Sequence, residues 1–329
     1  ETFMSRRRES ILSAEGEVHV RLRRLVAPAF SPRSADRLRP FMREVVNGLI
    51  DDVAQTGRAE VVRDICEPYP IPIICELLGA PKEDWKLFSR LATDVLRIFG
   101  SDLATELPTI MAAQEELDEY TRGLIAERRS VPLDDLLTDL ISAEEAGDKL
   151  STEELVMMVE AVIVGGTDTT RNQLGLALAL FAEHPDQWEL LRNDPSLAPR
   201  AVEEVMRYNG AVGGTIRFAS EDIEYNGVLF PKGTFMSTSM ATGNFDAAVF
   251  PEPNTFNILR PPVGQPHLSL GAGIHYCLGA SLARAELQEA FTVLSERMPQ
   301  LRLDGPVEYK STGVGIFGPA SLPIAFNTK

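Results

Sequence analysis

The chain has 329 residues, 44% of them hydrophobic and 24% charged, a globular composition that excludes disordered, collagen-like and fibrous classes. Its net charge of -16 argues against nucleic acid as a general partner, because phosphate binding needs clustered lysine and arginine. Three cysteines are too few for a disulfide scaffold of this length and fit a reducing cytoplasm. The most apolar run, residues 155–164, is interrupted by Glu160 and falls far short of the ~20 residues a membrane span needs, so no membrane crossing is expected.

Residues 1–50 hold ten arginines against six acidic residues, so a basic N-terminal stretch sits on an acidic remainder and offers a surface to an acidic partner. Apolar residues at three-to-four spacing predict helices over 18–27 and 34–53, followed by helices over 66–78, 82–98 and 107–129. Ser151-Thr152-Glu153-Glu154 is an N-cap signature, and only Gly165-Gly166 interrupts the helix expected from there to Glu183, about 50 Å long at 1.5 Å per residue. Such a helix would be the architectural spine. After two shorter helices over 185–192 and 196–207 come short strands over 215–219, 223–225, 228–229 and 234–237, with Asn226-Gly227 as a hairpin turn. A proline-rich coil over 250–266 leads to a glycine-rich loop, a last helix over 279–297 and strands over 301–326. The expected fold is mostly α, an α+β arrangement with small sheets, in one domain spanning 1–329 since no linker divides it. Glu1 is no initiator, and the chain reads as beginning partway into a longer protein.

The segment Leu270-Gly271-Ala272-Gly273-Ile274-His275-Tyr276-Cys277-Leu278-Gly279 carries the most chemistry. Glycines at 271, 273 and 279 let the backbone turn tightly and approach something flat, and they set Cys277 just before a helix whose N-terminal amides stabilise a thiolate. A buried core cysteine is the alternative for that residue taken alone. Zinc is poorly supported, since no second cysteine or paired histidine lies at ligand spacing.

This loop resembles the haem-binding signature of the cytochrome P-450 haem-thiolate monooxygenases, in a bacterial soluble form. Two further segments carry the resemblance: Glu204-Val205-Met206-Arg207 is similar to the family's Glu-x-x-Arg helix, and Gly165-Gly166-Thr167-Asp168-Thr169-Thr170 to the acid–alcohol motif of its long central helix. The resemblance implies the cytochrome P-450 fold, an oxidoreductase, and heme b (iron protoporphyrin IX) ligated by the Cys277 thiolate. It implies that His19, Arg23, Arg217 and His275 meet the haem propionates, with Gly271 and Gly279 beside the cofactor. Thr169 would hold dioxygen and Asp168 would relay protons, both on the distal side, while Glu204 and Arg207 form a buried structural ion pair. The substrate pocket would be lined by Val162, Ile163 and Gly166, by Ala211, Val212 and Ile216, and by residues 314–317, including Ile316 and Phe317. These types imply an apolar small molecule of lipid, terpenoid, steroid or polyketide kind.

No flavin or nicotinamide fingerprint is present, so the resemblance implies electrons from ferredoxin and ferredoxin reductase, docked on the helix bearing Arg21 to Arg24. Three positions depart from the family pattern: Thr255 stands where an arginine or histidine usually completes the Glu204–Arg207 pair, Leu270 replaces phenylalanine, and residues 243–247 are degenerate. The front end is also shorter than the family's. A haem-binding sensor or carrier with impaired catalysis, or a haem-free helical interaction protein, are the alternatives to a monooxygenase.

Overall fold

The computed structural model describes residues 10–99, 102–145, 150–310 and 316–328. In chain order its helices are α1 (Gly16–Val26), α2 (Pro32–Ala54), α3 (Pro70–Leu78), α4 (Trp85–Leu96), α5 (Leu103–Ser130), α6 (Leu136–Glu145), α7 (Thr152–Glu183), α8 (Pro185–Asn193), α9 (Ala198–Tyr208), α10 (Met240–Gly243) and α11 (Ala280–Arg297). The strands are β1 (Arg58–Glu60), β2 (Gly214–Phe218), β3 (Ile223–Tyr225), β4 (Val228–Phe230), β5 (Phe235–Ser239), β6 (Arg302–Leu303), β7 (Glu308–Tyr309), β8 (Pro319–Ser321) and β9 (Pro323–Ala325). They form one three-stranded sheet, β1-β9-β6, and the antiparallel pairs β2-β5, β3-β4 and β7-β8. The fold is mostly helical, as expected, and no helix among the described residues is long and apolar enough to cross a membrane.

The spine is α7. Ser151 caps it: its hydroxyl accepts the Glu154 N–H at 3.2 Å, and the Glu154 carboxylate accepts the Ser151 N–H at 2.8 Å. The same carboxylate pairs with Arg21, which binds α1 to the start of α7. The helix is buried along most of its length and packs against α3, α4, α5 and α11. The stretch 66–78 divides into a turn over Val62–Cys66 and the separate α3, because Pro68 and Pro70 lack the amide donors a continuous helix would need. Strand β1 and helices α6 and α10 were not expected from sequence. Strand β1 forms by pairing Arg58 with Ala325, a partner from the far end of the chain, and α6 packs against α5 and α7.

The Glu204–Arg207 pair is as expected, and its third partner is Arg260 rather than a side chain at position 255. The Glu204 side chain is 3% exposed and accepts from Arg207 Nε at 2.8 Å, from Arg260 Nε at 2.9 Å and from the Asn257 N–H at 3.0 Å. Arg207 also donates to the carbonyls of Asn244, Pro253 and Thr255, and Arg260 donates to those of Pro251, Glu252 and Thr255. Two guanidiniums therefore gather the carbonyls of an otherwise irregular coil around one carboxylate. Residue 255 contributes only its backbone oxygen.

A second buried acid lies between α7 and α11. Glu286 Oε2 accepts the Thr170 hydroxyl at 3.1 Å, its backbone carbonyl accepts the Tyr69 hydroxyl at 2.8 Å, and Oε1 has no partner. Burial pushes its carboxyl up to about 8 from an ordinary value near 4.5, so it is mainly protonated at neutral pH.

Arg260→Ala should destabilise the protein by about 3–5 kcal/mol, because it strips one partner from a buried carboxylate, whereas Thr255→Ala should stay within about 0.5 kcal/mol; urea unfolding reads both. For Glu286 the folded state holds a proton that the unfolded state releases, so stability falls as pH rises from about 4.5 to about 8. Glu286→Gln should abolish that slope, matching the parent near pH 4.5 and exceeding it at pH 8 in thermal unfolding.

Candidate functional site

Along the middle of α7 one stripe breaks the burial. Ala161, Gly165 and Thr169, spaced four residues apart, are all less than fully buried while Val162, Ile163, Val164, Thr167 and Asp168 are buried. A side chain added at Gly165 would meet nothing within 4 Å, so the helix presents bare backbone to open space. Thr169 lies on this stripe, its hydroxyl donating back to the Gly165 carbonyl at 2.8 Å. Gly166 faces elsewhere: a side chain there would collide with Ile74 of α3. Gly166 thus lets two helices touch, and Gly165 leaves the space open.

Asp168 is also placed differently from expectation. One residue is about 100° of helix, and that rotation turns its carboxylate off the open stripe and into the protein. It is 6% exposed, paired with Arg171, with Oδ2 accepting from Asn172 Nδ2 at 3.1 Å. Acid and alcohol do not share a face here.

The cysteine loop is closed by the Cys277 N–H donating to the Leu270 carbonyl at 2.8 Å. Gly271 and Gly273 have φ of +72° and +71°, a left-handed conformation that side-chain-bearing residues adopt with strain. Gly279 has an ordinary φ of -80° and precedes α11; a side chain there would meet open space. Burial pushes the Cys277 thiol up, with the Gly279 N–H and the charges of Arg23 and Arg284 opposing it. The helix-start amide expected to favour a thiolate is present, and desolvation outweighs it.

A brace that sequence reading missed fixes this loop. Arg284 on α11 donates to the Tyr276 hydroxyl at 3.0 Å and, through Nε and Nη2, to both carboxylate oxygens of Glu203 on α9 at 2.6 and 3.0 Å. His267 is buried; its Nδ1 accepts the Ser269 N–H, which leaves the proton on Nε2, 3.3 Å from Glu203. Burial raises the Glu203 carboxyl, but the His267 and Arg284 interactions prevail and hold it down at about 2. Glu203 is adjacent to Glu204, so one turn of α9 anchors both ends of the coil that leads to Cys277. A histidine and an arginine flanking the cysteine segment were the only signal available.

Of the expected anion-binding residues, His19, Arg23 and His275 converge. The rings of His19 and His275 are 4.5 Å apart, and Arg23 donates to the carbonyls of Ile274 at 3.2 Å and Tyr276 at 2.7 Å. His19 is buried, its Nδ1 has no hydrogen-bond partner, and burial together with His275 and Arg23 lowers its proton affinity. His275 Nε2 lies 3.3 Å from Glu15. Arg217, on β2, is exposed and donates to Thr215 and the Ile216 carbonyl of its own strand.

The expected pocket residues are only partly assembled. Ile316 bridges Val212, and the Phe317 N–H donates to the Ala211 carbonyl at 2.8 Å, so these two segments form one wall; residues 314 and 315 lie outside the described residues. Gln173 on α7 holds that wall by accepting the Ala211 N–H at 2.9 Å. Ile216 is half-buried in β2, whereas Val162 and Ile163 are buried in the hydrophobic core. A cavity of about 190 Å³ beside Val212, Phe245, Ser269 and Phe317 is smaller than the ~300 Å³ at which small-molecule sites begin.

The basic N-terminal stretch is largely consumed by internal contacts. Arg21 pairs with Glu154, Arg23 with loop carbonyls, and Arg39 and Arg43 with the buried Glu289 of α11. Arg24, Arg33 and Arg37 are exposed; Arg6, Arg7 and Arg8 lie outside the described residues.

A family model described as "Cytochrome P450" matches residues 2–297. The chain is 38% identical to nocardicin C N-oxygenase of Nocardia uniformis subsp. tsuyamanensis, over 96% of this chain and 79% of that protein. It is 34% identical to steroid C26-monooxygenase of Mycobacterium tuberculosis (strain CDC 1551 / Oshkosh), over 96% of this chain and 85% of that one. The structure of P450BioI in complex with hexadec-9Z-enoic acid ligated acyl carrier protein superposes with a TM-score of 0.92 at 32% identity, covering 98% of this chain and 83% of that one. A glycine-flanked cysteine on a braced loop, an open helix stripe and these likenesses agree: the chain belongs to the cytochrome P450 family, as a monooxygenase-class oxidoreductase whose cofactor is haem.

Proposed function

We propose that residues 1–329 form one haem domain in which Cys277 ligates the iron and one atom of dioxygen is inserted into an apolar small molecule, with electrons from ferredoxin and its reductase. The observation that carries the reading is the open stripe Ala161–Gly165–Thr169 on an otherwise buried helix. Bare backbone in mid-helix leaves room for something flat, and the open space at Gly273 and Gly279 suits a planar group on the side of the sulfur. The orphaned Nδ1 of buried His19 needs a partner, which a propionate provides. The residues therefore fit the cofactor.

Bound haem supplies the iron at which dioxygen is activated. Cys277 supplies the thiolate ligand, held by the Gly279 N–H and by the loop that Tyr276 and Arg284 brace. His19, Arg23, His275 and Arg217 would hold the haem propionates. Thr169 exchanges its bond to the Gly165 carbonyl for one to the oxygen substrate, and Asp168 passes protons toward it through water, which requires its carboxylate to leave Arg171. Val212, Ile216, Ile316 and Phe317 shape the wall against which an apolar substrate is oriented. The steroid enzyme and the acyl-carrier complex among the relatives make lipid-like or carrier-bound acyl substrates the first to try. Arg24, with Arg33 and Arg37, offers cations to an acidic ferredoxin, and the three free cysteines suit the cytoplasm.

The dithionite-reduced, carbon monoxide-treated protein should show a strongly red-shifted Soret band that Cys277→Ser loses; a short-wavelength band in the parent would overturn thiolate ligation. Thr169→Ala should lower product per NADPH by about tenfold, the equivalent of ~1.4 kcal/mol, and release peroxide instead. Arg24→Glu should slow reduction by ferredoxin at low salt and match the parent at high salt, where screening removes steering.

A further inference from the structure

Two cations face the buried Asp168 carboxylate, and they come from different parts of the fold. Arg171, one turn further along α7, pairs with Oδ1. Its guanidinium is held in turn by the Thr93 hydroxyl at 3.0 Å and faces Glu67 at 3.6 Å, so it is fixed to the helical body. Lys310 arrives from the other direction, at the end of β7, and places Nζ 4.0 Å from the same Oδ1.

The hairpin that bears Lys310 also bears the pocket wall. The Lys310 N–H donates to the Gly318 carbonyl at 3.0 Å, closing β7 on β8, and Tyr309 stacks on Phe317 with ring centres 5.2 Å apart. Gly318 lies directly against Asn172, where a side chain would collide with Asn172 Oδ1. Asn172 in turn donates to Asp168 Oδ2. The hairpin therefore reaches both oxygens of one carboxylate, Oδ1 through Lys310 and Oδ2 through Gly318 and Asn172.

We propose that Lys310 is a positioning residue that ties the wall formed by Ile316 and Phe317 to the proton-carrying carboxylate of Asp168. This rests on the role given to Asp168 above. Arg171 sits on the same helix as its partner and cannot report what the hairpin does. Lys310 can, since the attraction between unit charges near 4 Å changes steeply with small displacements of the strand that carries one of them. What the pocket holds thereby decides how firmly Asp168 is retained in its buried position.

The charge that does this is titratable. Burial lowers the proton affinity of Lys310 and Arg171 adds to that, while Asp168, Glu67 and Cys66 oppose it, and the lowering prevails. Its ammonium is charged below its own pKa, and the clamp holds only there. It is lost on raising the pH sooner than it would be with an exposed lysine.

The test uses haem-loaded protein and infrared difference spectra from pH 7 to 10, with the Asp168 carboxylate band assigned by its loss in Asp168→Asn. The parent band should move as pH rises, Lys310→Arg should hold the neutral-pH position throughout, and Lys310→Met should show the alkaline position already at pH 7. With ferredoxin and reductase supplied, NADPH consumption at pH 7 should rise severalfold in Lys310→Met, where the carboxylate is released, and return to the parent rate in Lys310→Arg. Identical bands in the parent and both lysine variants at every pH would overturn the assignment. Should Asp168→Asn leave the solvent isotope effect on NADPH consumption unchanged, the proton-relay role of Asp168 fails instead, and the coupling proposal fails with it.

Discussion

A carboxylate 3% exposed to solvent cannot stay ionised unless its partners are equally well placed, and the architecture around Cys277 depends on how Glu204 meets that condition. Two guanidiniums and one backbone N–H satisfy it. Each guanidinium has donors left over, and these capture carbonyls between Asn244 and Thr255. Coil with no ladder of its own thereby acquires a fixed path. The adjacent Glu203 repeats the logic toward the cysteine side through His267 and Arg284. One turn of α9 thus braces the coil that leads to the sulfur.

The long helix α7 solves a different problem. A helix buried on every side would leave no room for a cofactor, and one exposed along a whole face would not be a spine. The solution is local: small residues at Ala161 and Gly165 open one stripe for about two turns, while Gly166, rotated by a single residue, keeps α3 in contact. The two adjacent glycines do opposite work. The same single-residue rotation separates Thr169, on the stripe, from Asp168, sunk among Arg171, Asn172 and Lys310. Alcohol and acid are consecutive in sequence but lie in different environments, one open and one closed, and the closed one is gripped by cations.

How much of this was legible follows from how local each cause is. The N-cap box at Ser151, the helix it starts, the Asn226-Gly227 turn and the Cys277 loop are written in neighbouring residues, and they stand where the sequence puts them. Strand β1 was not legible because its reason for being a strand is Ala325. Arg260 was missed since a motif position is counted along the chain, whereas an arginine side chain reaches across a coil; five residues of offset are absorbed by geometry that counting does not contain. The direction of Asp168 was misjudged for a related reason: a motif names residues without naming faces. The basic stretch 1–50 was legible as charge but not as surface, because Glu154 and Glu289 claim Arg21, Arg39 and Arg43 from distant helices.

The burial of Cys277 goes with an extensive scaffold around one sulfur. Burial opposes the thiolate, and one amide with two flanking arginines does not reverse that. The protein's part is to hold the sulfur in one place despite that cost. Position is fixed beforehand by the Leu270 carbonyl, by Tyr276 under Arg284, and by Arg23 on the carbonyls at 274 and 276. Arg23 belongs to the same short helix as His19, whose orphaned nitrogen awaits an acceptor. A single helix is thereby committed both to the loop that carries Cys277 and to a buried histidine beside it, so a ligand that gives His19 a partner should tighten α1 against the cysteine loop.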